Sequence, residues 1–258
     1  MRLRVTVCEL REEPAAFAED WAALVAHARA EASELVLLPE LGFSRWFAST
    51  RAFKPEVWRD ALRDDAAWQP RLRELAPARV AGTRPLQAGR RRLNEAFVWS
   101  AAQGRRAAHQ KRHLPDDEGY WEASWYQRGP ADFTLCGSRS ARMGFLICTE
   151  LWFFERARAY GRAGAHLLLV PRTTGQPSVE RWLTGGRTAA IVSGAFCLSS
   201  NRVGAGGPSP EFGGCGWLID PEGDVIATTS RAQPFVTREI DLADAVTAKR
   251  NYPRYVRE

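Results

Sequence analysis

Short apolar runs alternate along this chain with longer stretches in which apolar residues recur every three or four positions. That alternation sets the expected order of strands and helices. Residues 3–8 read as a strand. Pro14 opens a helix running to about residue 32, because Phe17, Trp21, Leu24, Val25 and Ala28 fall on one face. Residues 34–38 form a continuous apolar strand that stops at Pro39-Glu40. A second helix is expected over 55–75, kinked or interrupted at Pro70, since proline has no N–H and its ring clashes with the preceding turn. Strand patterns follow at 79–83, 95–100 and 107–111, then a polar loop rich in aromatics at 112–130. Further on, 132–136 and 141–148 read as strands, 150–161 as a helix, 165–170 as a buried strand and 179–192 as a helix. A strand at 195–201, a hairpin of 214–219 with 225–229 around Pro221-Glu-Gly, and a last strand at 235–240 complete the pattern. The Gly/Pro stretch 204–214 reads as a loop, and no repeat, low-complexity segment or linker divides residues 1–258. Helices after early strands and again after later ones, with many strands between, predict an α/β sandwich with its helices outside.

Hydrophobic residues make up 45% and charged residues 26%, which is ordinary globular usage and supplies a sizeable core. No apolar run approaches the ~20 residues that span a bilayer. The opening Met1-Arg-Leu-Arg-Val-Thr-Val gives way at once to Cys-Glu-Leu-Arg-Glu-Glu, so no export signal is expected. Cysteines stand at 8, 136, 148, 197 and 215, an odd number with no C-x-x-C pair, against a disulfide framework or a zinc site. A reducing cytoplasm is the expected compartment. The net charge of +6 is spread over the chain, and Arg90-Arg91-Arg92 and Arg105-Arg106 do not interleave with aromatics, so no nucleic-acid partner is expected. Of the 36 basic residues only Lys54, Lys111 and Lys249 are lysines. Against so much arginine, a lysine marks a place where a compact ammonium with a tunable pKa is required.

Three chemistry-bearing residues stand where expected strands end. Glu40 closes Glu34-Leu-Val-Leu-Leu-Pro-Glu, Lys111 closes Arg106-Ala-Ala-His-Gln-Lys, and Cys148 closes Arg142-Met-Gly-Phe-Leu-Ile-Cys. In α/β sheets the crevice outside the strand carboxyl ends is where ligands bind. Thr149-Glu150 and a helical run follow Cys148, which places the thiol at a strand-to-helix turn, where a helix N-terminus lowers a thiol pKa. Singly, each residue has a plainer reading: a core cysteine, a loop carboxylate, a solvated strand end.

Taken together, Pro39-Glu40-Leu-Gly-Phe, Lys111-Arg-His-Leu-Pro and Gly144-Phe-Leu-Ile-Cys148-Thr-Glu150-Leu resemble the glutamate, lysine and cysteine motifs of the nitrilase (carbon–nitrogen hydrolase) superfamily, in its amidase-like branch. Lys111 follows Glu40 by 71 residues and Cys148 follows Lys111 by 37, which agrees with such chains. The likeness extends to Pro171-Arg-Thr-Thr, Ser199-Ser-Asn201-Arg-Val-Gly and Gly214-Cys-Gly-Trp-Leu-Ile-Asp-Pro-Glu-Gly223. The resemblance implies a four-layer αββα sandwich, usually dimerised with sheets stacked across the interface, and a catalytic triad of Glu40, Lys111 and Cys148. A second glutamate often lies between the lysine and the cysteine, ahead of an aromatic and a glycine. Glu122, before Tyr126 and Gly129, fits that arrangement, and the glycine spacing favours it over Glu118.

In the chemistry so implied, Cys148 attacks an amide carbonyl, Glu40 moves the proton, and Lys111 with the Thr149 N–H holds the oxyanion. Thr149, Trp125 and Arg172 are the candidate substrate-binding residues. Arg172 or Arg187 would bind a substrate carboxylate bidentately, although structural pairing is the ordinary reading of both. Trp121, Trp125 and Trp152 are candidate pocket walls or plain packing. His109, His113 and His166 invite a Cys–His reading, which the glutamate and lysine motifs disfavour. No G-x-S-x-G, H-E-x-x-H or P-loop pattern occurs, and no cofactor or metal is expected. The expected reaction is hydrolysis of a small linear amide or N-carbamoyl compound. Nitrile hydrolysis and acyl transfer are the related alternatives, and a non-catalytic binding protein is the unrelated one. Thr149, where true nitrilases often have Trp, leans toward amides. A homodimer or larger oligomer is expected, the more so because Asn251-Tyr-Pro-Arg-Tyr255 needs cover.

Overall fold

Strict in–out alternation along short strands builds two facing sheets. The computed structural model describes residues 1–204 and 210–256. The first sheet holds β1 (Arg2–Leu10), β2 (Leu35–Leu37), β3 (Arg79–Ala88), β4 (Arg91–Ser100) and β5 (Gly104–Gln110). The second holds β6 (Cys136–Ser138), β7 (Ala141–Phe145), β8 (Leu167–Pro171) and β9 (Phe196–Gly204), with β10 (Phe212–Gly213), β11 (Trp217–Ile219) and β12 (Val225–Thr228) at its margin. The strand β13 (Phe235–Asp241) returns to pair antiparallel with β1. Hydrogen bonding runs in the order β5-β4-β3-β2-β1-β9-β8-β7-β6. The seam between the sheets is short: β1 and β9 pair only at Glu9–Asn201 and Leu10–Arg202.

Beyond that seam the sheets face each other. Val5, Val7, Leu35 and Leu37 of the first meet Phe145, Leu167, Leu169 and Leu198 of the second in one buried cluster. The alternate positions Cys8, Leu10, Val36, Leu38 and Val80 point outward, against Phe17, Trp21 and Leu24 of α1 (Pro14–Ala30). On the other side, Leu146, Leu168, Val170 and Cys197 pack beneath α4 (Phe154–Arg162) and α5 (Val179–Ser193) through Tyr160, Ala189 and Ala190. Helix, sheet, sheet, helix is the four-layer αββα arrangement. Among the described residues no helix is long and apolar enough to cross a membrane.

Departures from the expected elements have local causes. The helix expected over 55–75 is α2 (Pro55–Trp68) followed by a 3-10 stretch, Gln69–Leu75, with Pro70 at the change. Residues 132–135 join no ladder; Phe133 packs on the His109 ring and beneath the Arg156 guanidinium, and β6 starts only at Cys136. The helix expected from 150 begins as a 3-10 turn, Cys148–Trp152, before α4. The aromatic loop contains the single-turn helix α3 (Glu122–Trp125), and α6 (Leu242–Ala248) follows β13, neither of them anticipated. In the expected loop 204–214, Gly204 ends β9 and Phe212–Gly213 forms β10, while residues 205–209 lie outside the described residues.

Candidate active site

Loops that leave one end of the sandwich deliver the polar residues. Glu40 follows β2, and its backbone is pinned: its N–H donates to the Arg172 carbonyl at 3.1 Å, and its carbonyl accepts from Thr173 Oγ1 at 3.0 Å. Arg202, at the end of β9, fastens the same loop. Its guanidinium donates to the carbonyls of Leu41 at 2.6 Å and Ser44 at 2.8 Å, and to Glu12 at 3.2 Å. Those bonds hold Leu41 at φ +50°, a conformation that a residue with a Cβ adopts only under constraint.

Lys111 follows β5, with its N–H on the Asn94 carbonyl at 2.9 Å. Its carbonyl accepts from Gly129 N at 2.8 Å. A side chain on Gly129 would collide with the Gln110 carbonyl, so a glycine is required where the loop carrying Glu122 closes on this strand. Cys148 stands at φ +48° between β7 and its 3-10 turn, a second strained backbone that turns the thiol out of the strand direction. Glu150 fixes that turn. Its carboxylate accepts from Ile147 N at 2.9 Å, from Arg112 N at 2.8 Å, and pairs with His109 Nε2 at 2.9 Å. One side chain thus ties the cysteine turn to the backbone next to Lys111.

The side chains converge. Lys111 Nζ donates to Glu40 Oε1 at 2.8 Å and to both oxygens of Glu122, at 2.8 and 2.6 Å. Asn94 Nδ2 donates to the same Glu40 oxygen at 2.8 Å, and the Tyr126 hydroxyl donates to Glu122. Glu40 Oε2 is buried without a hydrogen-bond partner among the described residues. Lys111 and Glu40 are wholly buried, and Cys148 nearly so. Glu122, Cys148 and Thr149 line a cavity of about 770 Å³, walled by Tyr120, Thr173 and Trp182. The Cys148 thiol donates to the Thr173 carbonyl at 3.8 Å.

Burial would by itself lower the Lys111 pKa, but the adjacent Glu122 and Glu40 outweigh it and hold the ammonium protonated. Burial raises Glu122 to about 7, with Lys111 pulling it down and Glu40 pushing it up. Burial and the Glu40 carboxylate also push the Cys148 thiol up, against the pull of Lys111. The expectation that the turn lowers this pKa is therefore overturned. A five-residue 3-10 turn offers little dipole, and desolvation next to a carboxylate dominates. The resting group is a thiol that needs a base, and Glu40 has a free oxygen in the same cluster.

Of the residues singled out in the sequence, Glu40, Lys111, Glu122 and Cys148 come together, and Thr149 lines the cavity beside Glu122 and Cys148. Arg172 does not: its guanidinium is wholly buried and donates to Ser199 Oγ at 2.7 Å, Thr174 Oγ1 at 2.9 Å and the Cys215 carbonyl at 2.6 Å, with Trp217 under its plane. Each of its three nitrogens donates to the protein, and it is wholly buried and does not line the cavity, which places it away from a substrate carboxylate; burial lowers its pKa to about 10. Trp125 lies away from this cavity, packed on Phe47 and Phe53, with Nε1 on the Thr50 carbonyl at 2.6 Å. Arg187 donates to the Gly223 carbonyl at 2.9 Å. Glu118 is exposed on the cavity rim and makes no bond to Lys111. His109 serves Glu150, His113 stacks on Phe153, and His166 accepts from Arg142 N at 3.1 Å. Trp121 lies beneath Arg51, and Trp152 packs on Trp182. Asn94, Tyr126 and Glu150 were missed. Tyr126 and Glu150 stood within the quoted motifs without a role, and Asn94 left its trace as a polar residue within β4. Among the described residues no His, Cys, Asp or Glu group is arranged to hold a metal ion.

The chain matches the family model for carbon-nitrogen hydrolase over residues 4–250. A glutamine-dependent NAD(+) synthetase of Rhodobacter capsulatus is 29% identical over 232 residues, covering 87% of this chain and 41% of that protein. An N-carbamoylputrescine amidase of Arabidopsis thaliana is 29% identical over 160 residues, covering 55% of this chain and 52% of the relative. The match thus spans about half the length of these relatives or less. A solved carbon-nitrogen hydrolase from Helicobacter pylori G27 shares the fold, with a TM-score of 0.85 at 22% identity over 98% of this chain and 94% of that one.

Proposed function

The chain belongs to the carbon-nitrogen hydrolase family, and from that premise we propose that it hydrolyses a small linear amide or N-carbamoyl compound through a thioester on Cys148. The observation that carries the reading is the Lys111 ammonium, held at 2.6–2.8 Å by Glu40 and Glu122 beside a cavity that Cys148 lines. In this proposal the unpartnered Glu40 Oε2 takes the thiol proton as Sγ attacks the carbonyl carbon. The raised thiol pKa suits that step, because the proton leaves only when the substrate is in place. The tetrahedral oxyanion is held by Lys111 Nζ and the Thr149 N–H, and Glu40 then passes its proton to the departing amine. Water, deprotonated by Glu40, cleaves the thioester and restores the thiol. Glu122 keeps Lys111 aimed throughout, as does the Tyr126 hydroxyl behind it. A cytoplasmic setting and a homodimer belong to the same proposal.

The test is a panel of linear amides, N-carbamoyl amines and nitriles, read by release of ammonia and by intact-protein mass. Wild-type protein is expected to release ammonia from amides or carbamoyl compounds and to show an acyl adduct on Cys148. Cys148→Ala should show neither, while Cys197→Ala behaves as wild type. Turnover by Cys148→Ala would overturn the mechanism. Turnover of nitriles alone would replace the amide reading.

A further inference from the structure

Glu40 presents its two carboxylate oxygens unequally. Oε1 accepts from Lys111 Nζ and from Asn94 Nδ2, both at 2.8 Å. Oε2 is buried and accepts from no described residue. The torsion that carries a glutamate carboxylate is broad and close to two-fold. A single bond from a lysine on a flexible stem would leave that torsion free to exchange the two oxygens, and a second donor on a rigid element fixes it. Asn94 is such a donor. It lies wholly buried in β4, between β3 and β5, and its carbonyl accepts from Lys111 N at 2.9 Å. One residue therefore meets the base through its side chain and the lysine through its main chain.

The amide carries a cost of its own. Its Oδ1 is buried without a hydrogen-bond partner among the described residues. Turning the amide over would put that oxygen against the Glu40 carboxylate, so the bond to Glu40 sets the orientation. Buried polar groups are almost always paired, and an apolar side chain of the same size would spare the fold an unpaired acceptor. What the amide supplies in return is its bond to Glu40 Oε1, beside the Tyr126 hydroxyl that donates to Glu122. Asn94 does not line the cavity, so it reaches a substrate through these groups alone.

We propose that Asn94 is a positioning residue for proton transfer: by keeping Oε1 of Glu40 occupied, it assigns the proton to Oε2. This rests on the reading of Glu40 as the base. Asn94 and Lys111 differ in what they do during the reaction. In the proposed mechanism the ammonium turns a proton toward the tetrahedral oxyanion, which loosens its hold on Glu40. The neutral Asn94 amide takes no part in that charge and keeps its bond throughout. Oε2 therefore faces the thiol during the attack and the amine nitrogen as it departs.

Two variants of nearly unchanged volume test this. Asn94→Leu removes the donor without opening a cavity, and Asn94→Asp replaces it with a second acceptor; either serves if it unfolds as the wild type does. Each is compared with wild type on an amide that the wild type accepts and on the p-nitrophenyl ester of the same acyl group. p-Nitrophenolate leaves without a proton, whereas an amine must receive one. In both variants kcat for the amide should fall about tenfold or more, a part of the roughly 10²–10⁴-fold that a placed acid–base group contributes. KM should change little, because Asn94 does not touch the cavity, and the amide-to-ester ratio of kcat/KM should fall. The second measurement needs no turnover: alkylation of Cys148 by iodoacetamide at neutral pH, read by peptide mass with the half-buried Cys136 of β6 as internal control. Sulfur bonds the methylene carbon, iodide leaves with the electron pair of the C–I bond, and the thiol proton passes to Glu40 Oε2. Asn94→Leu should slow Cys148 about tenfold and leave Cys136 unchanged, whereas a merely loosened fold would expose both thiols and speed both reactions. Unchanged or faster alkylation of Cys148, or equal losses for amide and ester, would overturn the proposal. If the wild type hydrolyses no amide but alkylation still slows in the variant, the hydrolase reading fails and the positioning role stands.

Discussion

Lys111 is the residue on which the site turns, because its ammonium is held between two buried carboxylates, Glu40 and Glu122. A compact ammonium donates in separate directions, to Glu40 at 2.8 Å and to Glu122 at 2.6 Å, and still leaves room for an oxyanion. A planar guanidinium would keep the charge but occupy the space of the carbonyl. Lys111→Arg is therefore expected to lower kcat/KM by roughly two to three orders of magnitude, the usual cost of a lost oxyanion donor, while thermal unfolding changes little. Near-normal turnover would show that charge alone suffices. The second prediction at this scale concerns Glu122, whose carboxyl burial raises to about 7. Above that pH it is an anion that holds Lys111; as pH falls through it, the group takes up a proton and releases one anchor of the ammonium. The pH profile of kcat/KM should therefore fall on its acid side with a midpoint near neutrality. In Glu122→Gln, which cannot titrate there, that limb should vanish along with much of the activity. A limb unchanged in Glu122→Gln would assign it to another group.

At the scale of elements, strand ends were legible and one-turn elements were not. Glu40, Lys111 and Cys148 each close a stretch with strand character, so their convergence follows once the sheets are folded. The single-turn α3 that presents Glu122 is too short to show a helical period, and it sits among aromatics that read equally well as loop. The role of Glu150 was hidden for a different reason. Its partners are a backbone N–H at Arg112 and the His109 ring, 38 and 41 residues away, and no local pattern records such bonds. Arg172 misled because an arginine in a loop after a strand looks available, and only the packed structure shows it wholly buried behind the cavity wall, bonded to Ser199, Thr174 and the Cys215 carbonyl. The Glu150 network predicts a coupled loss. Glu150→Ala leaves two backbone N–H groups and an imidazole nitrogen buried without their acceptor. A buried donor left without its acceptor costs about 1–3 kcal/mol. Denaturant unfolding should show a loss of that order, with kcat falling even where the variant stays folded, because the cysteine turn is no longer tied to the lysine strand. A variant as stable and as active as wild type would remove Glu150 from the design of the site.

At the scale of the whole molecule, the site exists only because two sheets are held face to face. Glu40 and Lys111 leave the first and Cys148 leaves the second, while β1 and β9 join them at just two residue pairs, so the inter-sheet cluster sets the register of the catalytic groups. The outer surface is less complete. On α6 and the segment after it, Val246 is 46% exposed, Tyr252 74%, Tyr255 61% and Val256 45%. Apolar and aromatic groups gathered on one surface mark an interaction site more often than scattered ones do. Together with the dimerisation that the family resemblance implies, this favours a second copy of the same chain as the cover. The expected result in light scattering at micromolar concentration is a particle of at least twice the 28.8 kDa of one chain. Tyr252→Ser combined with Tyr255→Ser should shift the mass toward the single chain without unfolding it, since these rings contribute little to the protein's own core. A wild-type mass of one chain would contradict the dimer. An unchanged oligomer in the double variant would move the interface to another face.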